Sequence, residues 1–155
     1  MTIPHRGITS CSTYFVTAGT YNKTYLLQSD RMATLFCQTL LCYRDAGKLE
    51  LHAFVVMPNH IHLLITVPEE MTLERTMQFV KGGFSSQAGK LFGVRSPVWQ
   101  KSFMDRRVRD ASEYMRFEHY IHQNPVRAGL VTNAEEYFFS SANSQFQMDE
   151  VPQRL

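Results

Sequence analysis

Leu51-His-Ala-Phe-Val-Val-Met57, then Pro58-Asn59, then His60-Ile-His-Leu-Leu-Ile-Thr-Val67 is the stretch that decides the fold. Two apolar runs flank a Pro-Asn pair, which is a hairpin signal, with proline at the turn where no ladder donor is needed. Alternate residues of a strand share a face. Ile61, Leu63, Ile65 and Val67 therefore make one aliphatic face, which must meet the core. His60, His62, Leu64 and Thr66 make the other. The two imidazoles then stand roughly 6–7 Å apart along one face, given the strand rise. Leaning inward, they can share one divalent metal, at roughly 2.0–2.1 Å each if it is zinc. The plainer alternative is a pair of surface histidines on a half-exposed strand. His52 falls on the corresponding face of the partner strand, as a neighbour, a third ligand or neither.

Outward from the hairpin, a strand is expected over residues 13–20, rich in β-branched and aromatic side chains. A helix is expected over 30–46, where Met32, Leu35, Phe36, Leu40 and Tyr43 recur at helical spacing and Gly47 is a plausible stop. A second helix starts with Thr72 as its cap and carries Leu73, Met77, Val80 and Phe84 as its apolar stripe. Gly82-Gly83 inside it costs about 1 kcal/mol per residue relative to alanine, which leaves a kink or break open there. A strand over 97–104 follows. A third helix begins near Asp110, which with Glu113 resembles a capping box. It is expected to end near Asn124, because Pro125 disfavours helix at the residue before it. The segment from Arg127 onward has no assignable pattern. The order matches an α+β, ferredoxin-like βαββαβ plan with an antiparallel sheet, and the third helix is an addition to it.

The 155 residues suit a single domain, with a core over about 12–142. At 44% hydrophobic, the chain can bury a real core. Its apolar runs are far shorter than the ~20 residues of a membrane span. Residues 1–10 show neither an apolar signal core nor a cleavage pattern. A soluble, cytoplasmic protein is the expectation. Three cysteines, Cys11, Cys37 and Cys42, argue against a disulfide framework and read as small buried or half-buried thiols.

The net charge of +2 says little, but its distribution says more. Arg95, Lys101, Arg106, Arg107 and Arg109 stand against one acid, Asp105, with Trp99 and Phe103 among them. Such a segment either tracks a phosphate backbone or is a solvated basic strand and loop. Trp99 reads as core in preference to a base-stacking platform.

On the third helix Tyr114, Phe117 and Ile121 form the packing stripe. Tyr120 lies on its flank, on the same side as Asn124 one turn later. Tyrosine, with a free pKa of about 10, needs activation to act as a nucleophile. A nearby divalent cation favours the phenolate and polarises a phosphate under attack. The chemistry needs metal and tyrosine together. Taken alone, Tyr120 reads as a helix boundary residue.

At this point a resemblance enters. Met57-Pro-Asn-His-Ile-His-Leu-Leu-Ile65 resembles the His-hydrophobic-His (HUH) motif of single-tyrosine transposases. Tyr120-Ile-His-Gln-Asn-Pro-Val-Arg-Ala-Gly-Leu-Val131 resembles the tyrosine segment of the REP-associated tyrosine transposases, a bacterial branch. Lys81-Gly-Gly-Phe-Ser85, Trp99-Gln-Lys-Ser-Phe-Met-Asp105 with Arg109, and Tyr137 with Ser140-Ser141 are similar to the same branch. The resemblance implies Mg²⁺ or Mn²⁺ on His60 and His62, with Asn124 as third protein ligand. It implies attack by Tyr120 on single-stranded DNA, leaving a 5′-phosphotyrosine and a free 3′-hydroxyl that permits strand transfer. Hairpin-forming repeats are the implied substrate, and Lys101, Arg106, Arg107 and Arg109 are candidates for DNA contact. The branch often has His after the Asp of the Trp-to-Asp segment, where this chain has Arg106. The alternative reading is a domesticated, non-catalytic DNA-binding module. Monomer or homodimer, and attack in cis or in trans, both stay open.

Overall fold

The structure, a computed structural model, describes residues 11–155, so the reading of residues 1–10 lies outside the described residues. The hairpin forms as its pattern demands: β2 (Glu50–Met57) and β3 (His60–Val67) are antiparallel around Pro58-Asn59. β1 (Ser12–Gly19) pairs with the other edge of β3, from Ser12 opposite Val67 to Gly19 opposite His60. β4 (Met104–Arg107) pairs antiparallel with β1. The sheet order is therefore β2-β3-β1-β4, the ferredoxin-like arrangement.

α1 (Asp30–Asp45) is capped by Ser29, whose hydroxyl accepts from Met32 N. α2 (Leu73–Phe92) is capped by Thr72 in the same way. Both cover the Ile61, Leu63, Ile65 and Val67 face, where Phe36, Phe54, Phe84, Met77 and Trp99 complete the main core. Phe36, Phe84 and Trp99 meet edge to face at 5.6–5.8 Å. Trp99 is thus core, and its Nε1–H donates to Lys81 O at 3.0 Å. Each such side chain contributes about 1.5–3 kcal/mol on burial.

α3 (Ala111–Arg127) is capped by Asp110 and lies on the opposite face. Tyr114 and Ile121 bury there against Ala53, Val55, Met57 and Leu64. β3 is consequently covered on both sides and not half exposed: His62, Leu64 and Thr66 are all buried.

Several elements differ from expectation. The fourth strand is Met104–Arg107, not 97–104. Val98 and Trp99 are drawn into the core and touch the sheet through a single bridge, Thr20 to Trp99. Three of the four residues that do pair, Asp105, Arg106 and Arg107, are charged, which suits a solvent-facing edge strand. α2 runs unbroken through Gly82-Gly83. α3 continues past Asn124 to Arg127 with Pro125 inside its last turn. Its closing carbonyls still find donors, Ala128 N on Asn124 O and Leu130 N on Pro125 O. Cys37 is buried as expected, with its thiol pushed up to about 12 by desolvation, but Cys11 and Cys42 are exposed.

The unassigned C-terminal segment lies along the outer edge of β2. Val56 N donates to Phe139 O and Ser141 N to Phe54 O, each at 2.9 Å. Among the described residues no helix is long and apolar enough to cross a membrane.

Candidate active site

β3 starts at the hairpin turn, and alternation puts His60 and His62 on the face that α3 covers. Their ring centroids are 4.7 Å apart at 79°. His62 is only 4% exposed. Its Nδ1 lies 2.8 Å from the Thr17 hydroxyl, which the ladder places directly opposite on β1. Among the described residues its Nε2 is the one buried side-chain nitrogen or oxygen without a hydrogen-bond partner. A buried polar atom left alone costs about 1–3 kcal/mol, so this one implies an absent partner.

The His60 Nδ1 lies 2.8 Å from Asn59 Oδ1. A carboxamide oxygen only accepts, so Nδ1–H donates and Nε2 keeps its lone pair. The Thr17 hydroxyl can accept from His62 Nδ1–H or donate to Nδ1; in the Nδ1–H tautomer, both Nε2 atoms are the free lone pairs a cation requires. Burial lowers the His60 pKa. It lowers that of His62 to about 3, helped by His60 and Arg127 nearby. Both rings are therefore neutral at neutral pH, as ligands must be.

The donor set fits a divalent cation. Among the described residues no third His, Cys, Asp or Glu joins the pair, so further ligands must be other oxygens. Asn124 is on the neighbouring helix, 9% exposed and one turn beyond Tyr120. A mixed imidazole and oxygen set suits several divalent metals.

α3 brings Tyr120 against this pair, its ring centroid 5.4 Å from that of His62 within the same chain. Phe15 anchors the cluster. It stacks on His62 at 5.4 Å and on Phe117 at 4.6 Å, and meets Tyr120 edge-on at 5.8 Å. The Arg127 guanidinium sits 4.3 Å over the Tyr120 ring, and its Nη2 donates to Tyr120 O at 3.4 Å. The tyrosine is gripped through its ring yet remains 41% exposed.

His52 takes no part. Its Nε2 is bonded to Thr66 Oγ1 at 2.7 Å, and Thr66 pairs near the far end of the β1–β3 ladder from His60. The bulge between Leu51 and Ala53 leaves it on the expected face, where its ring meets Tyr114 of α3 at 5.7 Å. The four basic candidates do not form one patch. Arg106 lies opposite Phe15, its guanidinium 5.8 Å from the Phe117 ring, and so faces the site. Arg107 lies opposite Tyr14, one residue further along β4, and lines a cavity of about 720 Å³ with Glu50 and Thr66. Lys101 lines another of about 600 Å³ beside Lys81 and Trp99. Arg109 stands in the loop before α3, its backbone N donating to Glu113 Oε1. Neither cavity is lined by His60, His62 or Tyr120.

Sequence reasoning missed Phe15, Thr17, Asn59 and Arg127. Asn59 had a local signal, since an Asx residue before the first histidine can hold its ring. Phe15 and Thr17 reach the site only through strand pairing.

The profile of the family described as "Transposase IS200 like" matches residues 8–124, and the chain belongs to that family. A REP-associated tyrosine transposase of Escherichia coli (strain K12) is 26% identical over 135 residues, covering 83% of this chain and 79% of that one. A relative from Haemophilus influenzae is 27% identical over 156 residues, covering 90% of this chain and 88% of its own. Among solved structures, that of a REP-associated tyrosine transposase bound to a REP hairpin superposes with a TM-score of 0.72. It is 23% identical and spans 92% of this chain and 86% of the other, which establishes the shared fold. Within the family, the chain stands with the REP-associated tyrosine transposases.

Proposed function

We propose that this protein cleaves single-stranded DNA and transfers the strand through a covalent tyrosine intermediate, in the cytoplasm, on repeats that fold into hairpins. The observation that carries the reading is the unpartnered, buried Nε2 of His62, beside neutral His60 and 5.4 Å from the Tyr120 ring. Family membership supports it, as does the REP hairpin bound by the structural neighbour.

His60, His62 and Asn124 would hold Mg²⁺ or Mn²⁺. When bound, the cation supplies Lewis-acid polarisation of a phosphate oxygen and favours the phenolate. Tyr120 Oη attacks the phosphorus. The bond from phosphorus to the 3′-oxygen breaks, and that oxygen leaves as a 3′-hydroxyl after taking a proton. The 5′-phosphate stays on Tyr120. Attack by another 3′-hydroxyl reverses the step, regenerates the tyrosine and joins the strands. Arg127 holds the Tyr120 ring in place, and Arg106, with its guanidinium 5.8 Å from the Phe117 ring, would meet a phosphate.

The test is a denaturing gel with labelled single-stranded hairpin DNA and Mn²⁺. Wild type is expected to give a covalent protein–DNA adduct and Tyr120→Phe none. A shift in native gels by both proteins, without adduct in either, would replace this reading with a non-catalytic DNA-binding module.

A further inference from the structure

The loop after β1 begins where the site ends. Gly19 lies opposite His60 in the ladder. Thr20, fully buried, donates its N–H to Asn59 O at 3.0 Å, and its hydroxyl reaches Thr24 O at 2.7 Å. Tyr21 N donates to Val98 O at 2.9 Å and Leu27 N to Pro58 O at 3.0 Å. The loop is thereby bolted at both ends to the turn that carries His60.

Between the bolts the chain faces outward. Tyr21 is 45% exposed and Tyr25 66%, with Lys23 also exposed. Asn22 and Lys23 both have φ 55°, in the left-handed region. Two successive non-glycine residues there are strained, and such strain clusters at functional sites. Among the described residues neither tyrosine ring meets another ring, a cation or a hydrogen-bond partner. A fixed backbone thus displays two exposed tyrosines and an ammonium on the loop that leaves β1 opposite His60. That combination fits unpaired nucleobases on a charged backbone, because bases stack on aromatic rings and phosphates attract cations.

We propose that Tyr21 and Tyr25 form a stacking platform for unpaired bases next to the phosphodiester at His60, with Lys23 against a phosphate. The inference rests on the single-stranded DNA reading above and adds where the flanking strand lies.

The experiment titrates the full chain into hairpin oligonucleotides whose single-stranded flank carries one 2-aminopurine at successive positions. Wild type is expected to quench at least one flanking position. Tyr21→Ala/Tyr25→Ala is expected to remove the quench and weaken binding roughly tenfold. Tyr21→Phe/Tyr25→Phe keeps the rings and is expected to retain both signals. Mn²⁺ affinity, read by calorimetry, is expected to be the same in all three proteins, which shows the site intact. Unchanged binding and quench in the alanine variant would overturn the platform and leave those tyrosines to some other partner. So would an equal loss in the phenylalanine variant, which would mean contact through the hydroxyls. If wild type bound no single-stranded DNA, the platform and the functional reading would fall together. If wild type formed its adduct and the alanine variant matched it in affinity and quench, only the platform would fall.

Discussion

In the proposed metal site, Thr17 and Asn59 would act without touching the cation. Each meets one Nδ1 and so holds the orientation of an imidazole whose Nε2 would be left for the cation. Partners of this kind are worth about 10–100-fold in metal affinity. Thr17→Val should therefore weaken Mn²⁺ binding within that range, Asn59→Leu likewise, and Tyr120→Phe hardly at all. Calorimetric titration distinguishes these outcomes, and an unweakened Thr17→Val would show that the hydroxyl is not needed. The histidines themselves were legible, because period-two alternation is local. Thr17 was not, since it meets His62 across 45 positions of sequence and only once β1 and β3 are in register. His52 lies on the same face but belongs to a different network. Its Nδ1 faces Asp149 O, an acceptor, so Nδ1–H donates and Nε2 accepts from the Thr66 hydroxyl. Thr66 in turn receives the Thr13 hydroxyl at 2.7 Å. Desolvation lowers the His52 pKa, against the opposing pull of Asp149 and Glu50. Its folded pKa thus lies below the unfolded value of about 6.5. At and above neutral pH the ring is neutral in both states and has no effect. As pH falls through about 6.5 the unfolded chain takes up the proton first, so stability declines. Urea denaturation at pH 7.5 and pH 5.5 should show a smaller acid loss in His52→Gln than in wild type. Equal losses would assign the acid sensitivity to other buried groups such as His122.

At the scale of elements, α2 is the clearest case of tertiary structure overriding propensity. Two adjacent glycines left a kink or break open, and the helix is continuous. They play different parts. A Cβ at Gly83 would press into the ring of Tyr43 on α1, its Cε2 only 2.6 Å away. A Cβ at Gly82 would meet nothing within 4 Å. Gly83 permits the two helices to approach, while Gly82 merely lacks helix propensity. Gly82→Ala should stabilise the protein by about 0.5–1 kcal/mol. Gly83→Ala should destabilise it by about 1–3 kcal/mol, as overpacking does. The midpoints of urea unfolding check both signs, and stabilisation by Gly83→Ala would mean that Tyr43 swings aside at little cost. The misplaced fourth strand has a related cause. Val98 and Trp99 look like strand residues because they are apolar, but they are apolar because they plug the core. The residues that pair, Met104–Arg107, look like loop because they face water on an edge. Composition reports burial, and burial separates from pairing at the margin of a sheet.

Across the whole molecule, the sheet has two covered faces and two edges, and the edges are managed differently. β4 is short and charged, which by itself discourages pairing with another chain. β2 is long and apolar, and its outer groups are met by the C-terminal segment. Tyr137 Oη donates to Val56 O at 2.7 Å. Ser141 Oγ accepts from Phe54 N at 2.9 Å, and Asp149 N donates to Leu51 O at 2.8 Å. Phe139, Phe146 and Met148 pack onto the main core beyond that edge. No periodicity announces this segment because its only regular pieces, among the described residues, are one 3₁₀ turn, Ala134–Glu136, and one isolated bridge from Ser140 to Val55. Its bonds to β2 run from Tyr137, Phe139, Ser141 and Asp149 to residues more than eighty positions earlier. The βαββαβ plan was readable from pattern alone, whereas the cover on β2 follows only from the finished sheet. A variant lacking residues 133–155 leaves the β2 edge open along Leu51, Phe54 and Val56. An exposed apolar edge of that length recruits other chains. Light scattering after size exclusion should find soluble aggregates or mixed oligomers in place of the wild-type species. Tyr137→Phe removes one bond without uncovering the edge, so it should keep the wild-type assembly and lose about 0.5–1.5 kcal/mol of stability. If the shortened chain eluted as a single species with wild-type stability, the segment would be an ornament on β2, and the edge would have to be protected by its own twist.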